Sequence, residues 1–300
     1  MIKIINLLFL LILLNNGFAQ IIDNSNCRAF SDEPFFNQTF IKNNNIKRIV
    51  GRTSYKGEMD VIRKKKEIFI YEFDKKGRQT AIYWSFKLGQ NTMDTSAVIF
   101  TYNDKNQLIN KRRNDNHSFY SYTYAYNSLG RVINQKYTRD ENISNSKIDF
   151  KQGGQFVIVS NSFEYIELND TQYVKKYFNN HGKVYEQKKY TYNIMGYLLN
   201  ETSRMVISRK TIKTNYSYNN RGLVSEKDEI STVMGRNKIT NRYKYDGIGN
   251  LLEENIYRND KHISERQVVY TNNMLIRSLL TREGGTNNIN LIQYEYEFYN

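Results

Sequence analysis

A twelve-residue phrase recurs along this chain and limits what it can fold into. It reads "YKYDGIGNLLEE" from Tyr243, "YAYNSLGRVINQ" from Tyr124 and "YSYNNRGLVSEK" from Tyr216. With the Asp or Asn as position i, copies start at Asp74, Asn103, Asn127, Asn179, Asn193, Asn219 and Asp246, with a degenerate copy at Lys151. Position i−1 is aromatic in every copy: Phe73, Tyr102, Tyr126, Phe150, Phe178, Tyr192, Tyr218 and Tyr245. Position i+3 is glycine except at Asn106, and Asn is the next best residue for a left-handed backbone. Position i+5 is apolar except at Gln79.

One hairpin accounts for these columns. Asp or Asn at i with Gly at i+3 suits a type I turn closed by a left-handed residue. In that register i pairs with i+4, and i−1 stands opposite i+5. The aromatic and apolar residues then meet on one face, where such cross-strand pairs contribute about 0.2–1 kcal/mol. Position i−3 shares that face and is Tyr71, Phe100, Tyr124, Ile148, Tyr190, Tyr216 or Tyr243, with Lys176 the exception. Position i−2 points the other way and is mostly polar, as at Glu72, Thr101 and Lys244. The common spacing of about 26 residues fits two strands and two turns. The shorter step from Asn179 to Asn193 leaves room for a single return strand. Roughly eighteen to twenty strands are expected. The stretches "VVYTNNMLIRSLL" and "LIQYEYEFYN" read as terminal strands without the full turn. The expected fold is all-β: an antiparallel meander of repeated β-hairpins forming one long curved sheet, open or partly curled.

The motif Tyr-x-Tyr-Asp-x-x-Gly-Arg-Leu marks YD repeats, the units of Rhs-type and teneurin-type shells. "YKYDGIGNLL", "YAYNSLGRVI" and "YEFDKKGRQT" resemble it, and the resemblance spans roughly residues 66–300. It implies a curved antiparallel strip that spirals toward a hollow shell, and roles in carbohydrate binding, adhesion or toxin encapsulation. This chain is shorter than those that close a cocoon, so encapsulation is not expected of it.

The chain begins "MIKIINLLFLLILLNNGFAQ". A lysine, a short apolar run and a small-residue exit make a secretory signal, with cleavage expected after Ala19. The run is too short for a comfortable membrane-spanning helix, which needs about 20 residues. Three segments are therefore expected: 1–19 as signal peptide, 20–39 as an irregular N-terminal segment, and 40–300 as the hairpin array. Cys27 is the only cysteine, so no internal disulfide can form, and it reads as a free thiol near a disordered start. The formal charge of +14 allows a polyanion partner, but the Lys residues are scattered through the strands.

Tyr120, Tyr122, Tyr185 and Tyr257 lie outside the i−1 and i−3 columns and are candidate platforms for a sugar ring. Lys64, Lys65 and Lys66 form the densest basic stretch, and Arg112 and Arg113 the second. Both could meet an acidic polymer. Lysines that protect a strand edge are the simpler explanation. His117, His181 and His262 sit in or beside polar turns without the spacing of a metal site. Glu253 and Glu254 are adjacent on a strand and so face opposite ways, which does not suit a glycosidase pair. No cofactor, metal or catalytic constellation is expected. The sequence points to an exported, non-enzymatic protein that binds a cell-surface or extracellular polysaccharide. The alternative is a structural or assembly scaffold for another envelope protein. No specific nucleic-acid partner is expected, nor any transmembrane helix once the signal is removed. An outer-membrane β-barrel would share the signal and the alternating strands, but no aromatic girdles are visible and outward positions are rich in Lys, Asn and Glu.

Overall fold

The computed structural model describes residues 20–87, 92–114, 118–144, 146–233 and 237–300. The expected signal segment and His117 lie outside the described residues. A short helix, α1 (Gln38–Asn43), precedes β1 (Ile46–Lys56), β2 (Arg63–Phe73), β3 (Gln79–Lys87), β4 (Met93–Tyr102), β5 (Leu108–Asn114) and β6 (Phe119–Tyr126). The meander continues through β7 (Val132–Asn142), β8 (Gln152–Asn169), β9 (Gln172–Phe178), β10 (Val184–Tyr192), β11 (Leu198–Met205) and β12 (Thr211–Tyr218). It ends with β13 (Val224–Ser231), β14 (Asn237–Tyr245), β15 (Leu251–Arg258), β16 (Lys261–Tyr270), β17 (Ile276–Glu283) and β18 (Ile289–Phe298).

Each strand pairs antiparallel with the next, and β18 returns to pair with β1 from Ile46–Phe298 to Lys56–Ile289. The described residues therefore form a closed eighteen-stranded barrel, not the open or partly curled strip expected. Closure removes both sheet edges that an open strip would expose.

The repeat forms the predicted hairpin. Asp74 N–H donates to Arg78 O, and Gly77 N–H donates back to Asp74 O at 2.8 Å; the same pair of bonds recurs at Asn103, Asn127, Asn179, Asn193, Asn219 and Asp246. The acid or amide at i does more than favour the turn. Asn127 Oδ1 accepts from the N–H of Leu129 and Arg131, at 3.0 and 2.9 Å. Asn219 does the same for Arg221 and Leu223. Residues i−1 and i+5 pair directly, as in Tyr102–Leu108, Tyr218–Val224 and Tyr245–Leu251, and a bulge follows at i+6 each time.

Two readings of the repeat need correction. Lys151 starts no hairpin: Gly154 belongs to β8, and the Phe150 ring packs on Phe119 and Arg112 instead of entering a strand pair. The stretch "VVYTNNML" does carry a full turn, with Thr271 N–H donating to Leu275 O and Met274 N–H to Thr271 O. Thr and Met replace the usual Asx and Gly there, and Met274 takes the left-handed backbone at φ 61°.

Alternation places positions i−1 and i−3 inside the barrel and i−2 outside, except at Asn179, where Tyr177 at i−2 shares the inner face with Tyr173 and Tyr190 while Lys176 and Phe178 point outward. Tyr71, Phe73, Phe100 and Tyr243 are buried in the interior. The outer wall carries ion pairs: Arg48–Glu72 at 2.7 Å, Arg52–Glu295 at 2.9 Å, Arg242–Glu226 at 2.8 Å and Lys244–Glu253 at 2.8 Å. Residues 20–45 fold inward as a plug. Ile21, Ile22, Phe35, Phe36, Phe40 and Ile41 pack with Ile49, Tyr71, Phe73, Tyr243 and Tyr294 in one buried cluster. The hairpins alone enclose no such core, and the N-terminal segment supplies it. Cys27 is not near a disordered start. It packs against this cluster beside Tyr243, and burial raises its thiol pKa.

A hydroxyl ladder joins neighbouring hairpins at the plugged end. Tyr102, Tyr126, Tyr218, Tyr245 and Tyr270 each donate from the ring O–H to the i+5 carbonyl of the preceding hairpin: Gln79, Leu108, Leu198, Val224 and Leu251, at 2.6–2.9 Å. Tyr165, Tyr296 and Tyr299 continue it to Val132, Ile276 and Phe73. This is why i−1 favours Tyr over Phe. A buried carbonyl next to a bulge needs a donor.

Candidate functional site in the lumen

The plug does not fill the barrel evenly. Its buried cluster draws wall residues from β1–β4 and β13–β18, and none of its fully buried members comes from β5–β12. Along β5–β12 the inner wall instead borders two recesses, the second of which reaches Val224 and Tyr245 of β13 and β14.

The first lies over β5–β7 and has a volume of about 500 Å³. Alternation aims Lys111 and Arg113 inward from β5, Tyr120, Tyr122 and Tyr124 from β6, and Gln135 and Tyr137 from β7. The rings of Tyr122 and Tyr137 stack at 4.7 Å and 24°, and those of Tyr120 and Tyr137 at 5.5 Å and 17°. Lys111 Nζ is held 2.6 Å from Glu33 Oε1 and 3.2 Å from Asp32 Oδ2 of the plug. Arg113 lies 3.5 Å from Asp32 Oδ2, with its guanidinium 5.7 Å from the Trp84 ring. Desolvation raises the pKa of Tyr124, so its hydroxyl stays protonated and can donate. An aromatic shelf beside both charge signs and an amide can stack on an apolar sugar face and hydrogen-bond its hydroxyls.

The second recess, of about 540 Å³, lies between Asp23, Asn24 and Arg28 of the plug and the inner wall at Tyr190, Tyr216 and Tyr245. Asn24 Nδ2 donates to the Tyr245 hydroxyl at 3.1 Å and ties the plug to the wall. Next to it, Lys175 is caged. Its Nζ is 3.9 Å from the Phe163 ring, 4.9 Å from Tyr177 and 5.4 Å from Tyr165. Burial, with Lys188 directly opposite, lowers its pKa from the ordinary 10.5 to about 8.

The nine residues singled out in the sequence do not form one site. Tyr120, Tyr122 and Arg113 meet in the first recess. Arg112, one residue away, faces outward, where the Phe150 ring covers it at 3.8 Å and burial lowers its pKa. It neighbours a buried outer-wall cluster in which Thr138 donates to Asp140 at 2.8 Å and Gln155 donates to Asp140 at 2.9 Å. Tyr185 stands at a bulge, edge-on to Tyr177 at 6.2 Å. Tyr257 lies on the outer wall under Arg242 and beside His262, whose Nε2 is 3.0 Å from Asn255 Oδ1. Lys64, Lys65 and Lys66 are exposed at the end of β2 away from the repeat turns, with Lys65 over the Tyr55 ring. Glu253 and Glu254 do face opposite ways: Glu253 pairs with Lys244 outside and Glu254 with Arg266 inside. Tyr137, Lys111 and Gln135 complete the recess and were not among the nine. Their signal was parity, since they align across β5–β7 with Tyr122 and Tyr124.

Among the described residues, no group of three or more His, Cys, Asp or Glu could hold a metal ion. No described helix is long and apolar enough to cross a membrane.

No protein-family model matches the chain. Comparison with curated proteins also gives no match. Among solved structures, the chain is similar to a porin-like protein from Bacteroides uniformis, at 13% identity over 85% of this chain and 97% of that one, with a TM-score of 0.40. It is also similar to part of TcdB2-TccC3, at 12% identity over 75% of this chain and 14% of that one, with a TM-score of 0.24. A third similarity is to the Tc holotoxin pore of Photorhabdus luminescens, at 12% identity over 76% of this chain and 15% of that one, with a TM-score of 0.25. At these scores the likeness is too slight to bear on function.

Proposed function

We propose that this chain is an exported, non-enzymatic, YD-repeat-like barrel that binds a segment of polysaccharide against its inner wall at β5–β7. The observation that supports this most is the stacked shelf of Tyr120, Tyr122 and Tyr137, open beside Lys111, Arg113 and Gln135. The shelf borders a recess instead of packing on the plug, and Tyr122 remains 36% exposed. The test is binding of the mature chain to a panel of neutral and acidic polysaccharides at low and high salt. Salt-resistant binding to one glycan, lost in Tyr122→Ala, supports the reading. Binding only to acidic polymers and only at low salt would mean charge alone. No binding would sink it and move weight to a protein scaffold.

A second reading, an outer-membrane barrel, is favoured by one specific observation: the meander closes with eighteen strands, an even number. The side-chain pattern opposes it. Membrane barrels turn apolar residues to lipid and polar ones to the lumen, whereas here Arg52, Arg242 and Lys244 face outward and Ile49, Tyr71 and Val268 inward. Heat-modifiable migration in detergent, or insertion into lipid vesicles, would favour the membrane reading.

A further inference from the structure

Lys175 lies in the middle of β9, between Tyr173 and Tyr177 on the inner face, and among the described residues its ammonium has neither a carboxylate partner nor a hydrogen bond. Pairing sets it opposite Tyr165 of β8 and Lys188 of β10. The rings of Phe163, Tyr165 and Tyr177 flank its Nζ. Glu186 and Glu201 act on it only through space. Both are engaged elsewhere: Lys188 Nζ is 3.1 Å from Glu201 and 3.8 Å from Glu186, and Ser203 Oγ donates to Glu186 at 2.5 Å. Arg131, over the Tyr165 and Tyr173 rings, pairs with Glu167. The sealed polar atoms that lack a partner among the described residues belong to Gln79 and Tyr294, so the Lys175 ammonium still opens to the lumen.

A half-buried charge without a counter-ion costs free energy. A methionine would fill the same ring-lined slot without that cost. The ammonium instead keeps its donors free for an incoming acceptor. With little water around them, a pair formed there is stronger than one in bulk water. The flanking rings suit the apolar face of a sugar. β9 lies two strand spacings, about 10 Å, from β7, where Gln135 and Tyr137 border the first recess. A short oligosaccharide spans that gap.

We propose that Lys175 takes the carboxylate of a uronate residue in a glycan that lies across the β5–β7 shelf. This rests on the glycan reading of the lumen and narrows it to an acidic sugar. The ligand carboxylate meets the one free ammonium, while Glu186 and Glu201 stay with Lys188 and Ser203. Tyr165, Tyr173, Tyr177 and Tyr190 also face this position, and burial raises their pKa values, so they remain neutral as Lys175 titrates.

The test is titration calorimetry of the mature chain with tetragalacturonate and with its carboxyl-reduced, neutral counterpart. It runs at fixed ionic strength from about pH 7 to about pH 9.5, where the ligand carboxylates stay ionised. At pH 7 the acidic ligand should bind roughly tenfold tighter or more, the scale of one charge-assisted hydrogen bond. Lys175 sheds its proton near pH 8, so that advantage should fall through this pH and be gone by about pH 9. Lys175→Met should abolish the preference, and its retained binding of the neutral ligand reports that it has folded. Lys175→Arg should keep the preference and flatten its pH dependence, because a guanidinium does not titrate here. Tyr122→Ala should weaken both ligands alike. An acidic preference that survives Lys175→Met would overturn the proposal and leave the shelf reading standing. So would equal binding of the two ligands by the unsubstituted chain. Binding of neither ligand would sink both.

Discussion

The two sides of this barrel are built from the same repeat and end in different states. On the β1–β4 and β13–β18 side, the inward aromatic and apolar positions close on the plug: Tyr71 packs edge-on to Phe35 and Phe36 at 5.7 and 5.1 Å. On the β5–β12 side the same positions face recesses, and rings pack on each other, as Tyr173 does on Tyr190 at 4.7 Å. Except at Asn179, the repeat therefore sets which face is inside, and the N-terminal segment decides which part of that face becomes core. What it leaves uncovered is available to a ligand.

The largest expected effect is on the packed side. Phe35 is fully buried against Phe36 and Tyr71. Phe35→Ala should cost about 3–5 kcal/mol in urea unfolding, and Tyr173→Ala much less. Equal losses would break the comparison. Glycine sharpens it next. Gly77 and Gly182 both have a positive φ at the same turn position, but a Cβ on Gly77 would sit 2.2 Å from Gln38 O of α1, and one on Gly182 meets no atom of the described residues within 4 Å. Gly182→Ala should cost about 1–2 kcal/mol from the left-handed backbone alone, and Gly77→Ala clearly more, read from the same unfolding curves.

Gln79 breaks the apolar column at i+5, and its buried amide has no hydrogen-bond partner among the described residues. Gln79→Leu should stabilise the chain by about 1–3 kcal/mol, the ordinary cost of an unsatisfied buried group. A lower denaturation midpoint would show that the amide serves the plug in some other way. The smallest effect belongs to the open side. The folded state lowers the pKa of Lys175 to about 8, so its buried ammonium destabilises the fold fully below pH 8. Between pH 8 and 10.5 the folded chain has shed that proton while the unfolded chain keeps it, so stability rises with pH. Lys175→Met should therefore melt higher than the parent at pH 7, and the gap should shrink across that window. A gap independent of pH would contradict the assigned burial.

Local geometry was legible in the sequence, and contacts between distant segments were not. Asp or Asn, Gly and the paired aromatic and apolar columns specify each turn and its register, and at every one but Asn179 its inward face, because all of them act within about ten residues. Closure was hidden because it joins Ile46 to Phe298, and no local pattern records that pairing. The hydroxyl ladder was hidden for the same reason, since each Tyr bonds a carbonyl about twenty residues away in another hairpin. At Phe150 the aromatic that suggested a turn is held by Arg112 and Phe119 from other strands. Tyr120 and Tyr122 could be named as candidates, but the plug carboxylates Asp32 and Glu33 that complete their surroundings could not. They come from a segment with no repeat pattern.

Amide hydrogen exchange across the whole mature chain tests the asymmetry most directly. Protection follows local opening, which is rarest where buried apolar contacts are densest. The account predicts slowest exchange in β1–β4 and β14–β18, faster exchange in β7–β11, and new protection in β5–β7 on adding a bound glycan. Uniform protection around the barrel, or the slowest exchange in β8–β10, would contradict it.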